Sequence, residues 1–86
     1  MNTDEIRAGV IKTLSGIVPE LDPATLKPAA ALRDQLDIDS MDFLNFLIAL
    51  HKEFGVDIPE ADAPKLGSVD ACVDYLAQAL RQRAQA

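Results

Sequence analysis

Tryptophan is absent from this 86-residue chain, and tyrosine and cysteine occur once each beside three phenylalanines. With so little aromatic bulk, any core has to be assembled mainly from Leu, Ile, Val and Ala. The lone Cys72 excludes an internal disulfide and suits a reducing compartment. Bases are also scarce, 8 Lys and Arg against 14 Asp and Glu, giving a net charge of -6. That balance argues against a nucleic-acid partner, which would call for clustered cations. No apolar run is long enough for a bilayer: the richest, Phe43 to Leu50, is short and contains Asn45, so membrane insertion is not expected. The start, Met1-Asn2-Thr3-Asp4-Glu5, is polar and acidic, unlike a signal peptide. A soluble, cytoplasmic, monomeric protein is the expectation. The single histidine, His51, has no Cys or His near it in sequence, so no metal site is expected. With neither a general base nor a nucleotide loop, the chain does not read as an enzyme.

What is present is helical pattern. Nearly half of the residues are apolar, enough for one modest core, and residues 1–86 read as a single domain. Thr3 is a candidate N-cap, with Asp4 and Glu5 in a first turn where negative charge is stabilising. Ile6, Val10, Leu14 and Ile17 make one stripe, and Gly16 is a plausible stop, so a first helix is expected over roughly 3–16. Pro19, Pro23 and Pro28 then rule out a long helix over 17–38. Leu21, Leu26, Leu32, Leu36 and Ile38 suggest an ordered loop pinned to the core, with one helical turn near 29–34. Val56 and Ile58 read as loop anchors. Pro59 can open a short helix that Pro64 and Gly67 end. Its Glu60 and Asp62 read as a solvated face. Ser68 caps a last helix bearing Val69, Cys72, Val73, Leu76 and Leu80, with Arg81 and Arg83 at its C-terminal end. The fold class is therefore all-α: a small four-helix bundle, three main helices and one short, with a long ordered loop between the first two.

The stretch that organises the rest is Asp39-Ser40-Met41-Asp42, at the head of a helix read over Ser40 to Phe54 and closed by Gly55. Asp39 is the N-cap, and Asp42 lies in the capping-box place three residues on. At about 100° per residue, Phe43, Phe46, Leu47, Leu50 and Phe54 share a core-facing side. Met41, Leu44 and Ile48 extend the apolar arc toward Asn45 and Lys52, wider than core contacts require. That edge reads as a docking surface, with Asp39 and Asp42 meeting basic partners. Ser40 beside it is a hydroxyl on a fixed backbone, where free N–H groups and the helix dipole favour a phosphate. The position suggests a serine modified by another enzyme. A plain helical interaction module, its serine never modified, is the alternative of another class.

The Asp39-Ser40-Met41-Asp42 run and its apolar helix, followed by Phe54-Gly55-Val56-Asp57-Ile58-Pro59-Glu60 and Val73-Asp74-Tyr75-Leu76, resemble the acyl carrier proteins. The likeness covers about residues 32–80 well and the first helix and loop more loosely. It implies a 4'-phosphopantetheine arm on Ser40, transferred from coenzyme A by a phosphopantetheinyl transferase. It also implies acyl cargo held as a thioester for acyl-loading and acyl-processing enzymes, sheltered between the second and third helices. A peptidyl or aminoacyl carrier is the nearest relative reading; Asp39 before the serine leans toward acyl cargo. The chain departs from the family pattern at Ile38, where Gly is frequent, and at Asn45, His51 and Lys52, where fatty-acid-synthesis carriers tend to place acids. Those departures suggest a specialised lipid or secondary-metabolite pathway.

Overall fold

Asn2, one residue ahead of the expected cap, opens the first helix. Its side chain accepts the Glu5 N–H at 2.8 Å while Glu5 Oε1 accepts the Asn2 N–H at 3.2 Å, a reciprocal capping box. The computed structural model describes residues 2–85, with side chains through residue 82. Thr3 is thus the first helical residue of α1 (Thr3–Ile17), because the Asn2 side chain takes the capping role by accepting the Glu5 N–H. At the other end, Gly16 does not stop the helix. It remains helical, and Val18 caps α1 by donating its N–H to Leu14 O at 2.9 Å.

The long connection is ordered, as its leucines suggested. Asp22 caps a 3-10 turn over Pro23–Thr25, and a single helical turn, α2 (Leu32–Gln35), follows. Gln35 ties the segment to itself: its Oε1 accepts the Lys27 N–H at 2.9 Å, and its Nε2 donates to Lys27 O at 2.8 Å. Two backbone bonds then fasten it to the far end of the chain, from Leu32 N to Gly67 O at 2.7 Å and from Asp70 N to Pro28 O at 3.0 Å. Leu32 is fully buried and Ile38 nearly so, which places the residue before Asp39 firmly against the core.

The third helix, α3 (Ser40–Phe54), has the bounds read from the sequence. Gly55 ends it in the left-handed region at φ 66°, where a Cβ would be strained. Val56 is buried and Ile58 partly so, the anchors expected of them. The short helix is of 3-10 type and longer than expected, Glu60–Leu66. Pro59 caps it rather than opening its first turn, and Pro64 lies inside it. Pro64 has no N–H to donate, so the segment lacks one of its i→i+3 bonds at that position. Then α4 (Val69–Gln85) begins at Ser68, whose Oγ accepts the Ala71 N–H at 3.1 Å. Arg83 lies in its last turn, with its side chain outside the described residues.

Among the described residues there is no strand. α1 packs on α3 and α4, and the 3-10 helix packs on α4. The core between them is Ile6, Val10 and Leu14 from α1, Phe46, Leu47 and Leu50 from α3, and Val69, Cys72, Val73 and Leu76 from α4. Each large side chain taken fully from water contributes about 1.5–3 kcal/mol, so these stripes suffice to hold α3 in place. Arg7 pairs with Asp70 at 2.8 Å across α1 and α4. Both side chains remain part-exposed, so this pair adds at most about 1 kcal/mol. The result is a rigid seat for the N-terminus of α3.

Candidate functional site at the head of α3

Asp39 sets the local geometry. Its Oδ1 accepts the Asp42 N–H at 2.8 Å, and Asp42 Oδ2 accepts the Asp39 N–H at 3.4 Å. The first main-chain bond of the helix runs from Phe43 N to Asp39 O at 3.0 Å. The N–H groups of Ser40 and Met41 come before that bond, so they are available to an anion at the helix mouth.

Ser40 stands apart from the other two serines of the chain. The Ser15 hydroxyl donates to Ile11 O at 2.9 Å, and the Ser68 hydroxyl is occupied as a cap. Ser40 is exposed, and its hydroxyl makes no hydrogen bond among the described residues. Ser40 is the first residue of α3, so a phosphate on Oγ would lie near the positive end of that helix. Among the described residues, no ionisable side chain hydrogen-bonds to Oγ.

The arc beyond Ser40 divides as the helical wheel foretold. Phe46, Leu47, Leu50 and Phe54 are buried, whereas Met41, Leu44 and Ile48 are 64%, 41% and 46% exposed, the large hydrophobic side chains most open to solvent among the described residues. Asn45 and Lys52 are exposed on the same side, and Asp42 is half-buried. A shallow groove of about 380 Å³ runs along one flank of this face, between Leu44 and Ile48 of α3 and Ile58 and Pro59 of the following loop. A second, about 330 Å³, opens between Phe43 and Ala63-Pro64. Neither groove was legible in the sequence, since each needs the placement of the 3-10 helix.

His51 closes the first groove. Its Nδ1 lies 2.8 Å from Val56 O and 3.8 Å from Asp57. The carbonyl can only accept, so Nδ1 carries the proton and the ring bridges α3 to its loop while remaining half-exposed. Asp62 is not merely solvated: Tyr75 Oη donates to its Oδ2 at 2.6 Å, and Lys65 stands 3.4 Å away. The Tyr75 hydroxyl holds the Asp62 carboxyl below its ordinary value of 3.8. Burial, and then Asp62, push Tyr75 from 10.0 up to about 12. Cys72 is buried in α4 with its thiol toward Leu66 O at 3.3 Å, and burial raises it from 9.0 to about 12. It is a core residue, not a nucleophile.

The family model described as the phosphopantetheine attachment site matches residues 9–76. The chain belongs to the acyl carrier protein family. Residues of this carrier are 36% identical over 76 positions to the acyl carrier protein of Thermosynechococcus vestitus, covering 88% of this chain and 93% of that protein. They are 32% identical over 76 positions to a mitochondrial acyl carrier protein of Neurospora crassa, covering 88% of this chain. The carrier spans only 57% of that mitochondrial relative's length. A solution structure of an acyl-carrier-type protein from Anaplasma phagocytophilum superposes with a TM-score of 0.79 at 30% identity, covering 91% of each chain. The group attached in this family is 4'-phosphopantetheine, and an exposed, unengaged hydroxyl at a helix mouth fits it. Among the described residues, no helix of this carrier is long and apolar enough to cross a membrane.

Proposed function

We propose that Ser40 is the residue that takes the 4'-phosphopantetheine arm, and that the chain carries acyl groups among partner enzymes without catalysing a step itself. When bound, the arm supplies a terminal thiol that holds cargo as a thioester. The observation that carries this reading is the Ser40 hydroxyl, exposed and unengaged where the other two serines are occupied.

The surrounding residues have separable tasks. Asp39 fixes the backbone on which Ser40 rides, and with Asp42 gives the helix mouth a negative border that favours a basic phosphopantetheinyl transferase. No carboxylate or imidazole among the described residues hydrogen-bonds to Oγ, and the transferase supplies the base. Met41, Leu44 and Ile48, with Asn45 at their margin, form the docking edge for acyl-loading and acyl-processing enzymes. Their exposure on a helix otherwise committed to the core supports that role. The flanking grooves offer apolar shelter for an acyl chain. Asn45, His51 and Lys52 replace the acids expected of fatty-acid-synthesis carriers, which supports a dedicated partner set in a specialised lipid or secondary-metabolite pathway.

The test is intact mass after incubation with coenzyme A and a broad-specificity phosphopantetheinyl transferase, with Ser40→Ala in parallel. A gain of one phosphopantetheine unit in the wild type alone is expected. An unchanged mass in folded wild-type protein would leave the chain an interaction module.

A further inference from the structure

Lys52 is the cation that the docking edge leaves unanswered. At about 100° per residue, Met41, Asn45, Ile48 and Lys52 fall within about 60° of one another on α3. All four are exposed. The acids of the helix, Asp42 and Glu53, lie about 60–80° beyond the strip's edge at Asn45. His51, next to Lys52, is already engaged by Val56 O and faces Asp57. Lys52 makes no ion pair among the described residues. At the other end of the strip, Asp37 and Asp39 are exposed just ahead of Ser40. The edge is therefore two-signed: carboxylates at the Ser40 end, an apolar middle at Met41 and Ile48, and a cation about 18 Å along the axis.

We infer that the cognate partner enzyme is two-signed in the opposite sense. It presents cations to the Ser40 end, an apolar hollow to Met41 and Ile48, and a carboxylate to Lys52. The inference rests on the carrier reading above. Seating an enzyme on Ile48 strips water from Lys52, one turn further along, and an ammonium so desolvated without a partner is costly. A uniformly basic docking surface would set like charge against it, which disfavours binding of that enzyme. The dipole of α3 also favours Lys52 in the last turn. That interaction is present equally in the free and bound carrier, so it contributes nothing to the choice of partner.

The experiment uses full-length holo protein whose modification has first been confirmed by mass, so failure to load counts against the carrier reading and not against this inference. The probe is a bacterial β-ketoacyl synthase with a basic rim around its active-site mouth, plus variants in which each rim Lys or Arg is changed singly to Glu. Dissociation constants are measured at low ionic strength for wild type, Lys52→Gln and Lys52→Glu. At least one Glu variant of the synthase is expected to bind the wild-type carrier about tenfold tighter than the parent synthase does. That gain should vanish with Lys52→Gln, and Lys52→Glu should prefer the parent. If no Glu variant gains affinity for the wild-type carrier, or if both Lys52 substitutions leave every preference within about twofold, the inference is overturned.

Discussion

The Tyr75 hydroxyl donates a 2.6 Å hydrogen bond to Asp62, thirteen residues earlier, and thereby fastens the 3-10 helix to α4. Replacing Tyr75 by Phe keeps the ring and removes the bond, so the variant is less stable than wild type at neutral pH. The difference shrinks at both ends of the pH scale. Asp62 is held below 3.8, so its contribution is present above that value and is lost as pH falls through the depressed one. Tyr75 is raised to about 12, so its contribution is full below 10.0 and is lost as pH climbs toward 12. Buried Cys72, raised in the same way, weakens both proteins alike from pH 9.0 upward. Urea midpoints of wild type and Tyr75→Phe across the pH range test this; a gap independent of pH would contradict it.

Gly9 admits the Phe54 ring where α1 crosses α3. A Cβ built there would stand 2.6 Å from Phe54 Cζ, whereas one at Gly16 meets nothing within 4 Å. Gly9→Ala therefore trades about 1 kcal/mol of helix propensity against about 1–3 kcal/mol of overpacking, for a net loss of up to about 2 kcal/mol. Gly16→Ala gains up to about 1 kcal/mol. In a Phe54→Leu background the clash is relieved, so Gly9→Ala should become stabilising by up to about 1 kcal/mol, as at Gly16; denaturant unfolding of the double-mutant cycle measures each term.

Asp39 combines a cap with a charge, and two substitutions separate them. Asp39→Ala removes the acceptor for Asp42 N–H and costs about 0.5–2 kcal/mol. Asp39→Asn keeps the cap, so its stability stays within about 0.5 kcal/mol of wild type. Both variants lose charge at the helix mouth and are expected to be modified more slowly by a basic transferase, with the deficit narrowing as salt rises. Thermal melts and modification time courses distinguish the two effects.

Ile48 is 46% exposed beside Leu50, which is fully buried. Ile48→Glu should leave stability within about 0.5 kcal/mol of wild type and sharply reduce acyl transfer by partner enzymes. Leu50→Glu should unfold the chain. Unfolding by Ile48→Glu would assign that residue to the core and remove the docking edge.

The parts of this molecule legible in its sequence are those built from short spacings. Asp39 and Asp42 are three residues apart, so their capping box and the start of α3 follow from local chemistry. The buried and exposed sides of α3 likewise follow from a single helical period. What escaped notice is non-local or finely balanced. The Gln35 clamp on Lys27 spans eight residues of irregular loop, and the Tyr75–Asp62 bond joins two elements whose packing no periodicity reports. Asn2 displaced Thr3 as the cap because both residue types serve that role, and only Asn2 has Glu5 at the reciprocal position. Pro64, expected to end the short helix, lies inside a 3-10 segment that runs two residues further, to Leu66, and goes without the one N–H.

The measurement that bears most directly on the central claim is fragmentation of the modified protein by mass spectrometry. Three serines compete for the group, two of them with engaged hydroxyls. Added mass is expected on fragments that contain Ser40, with those covering only Ser15 or Ser68 unshifted. Added mass on either of those serines, with Ser40 unmodified, would contradict it.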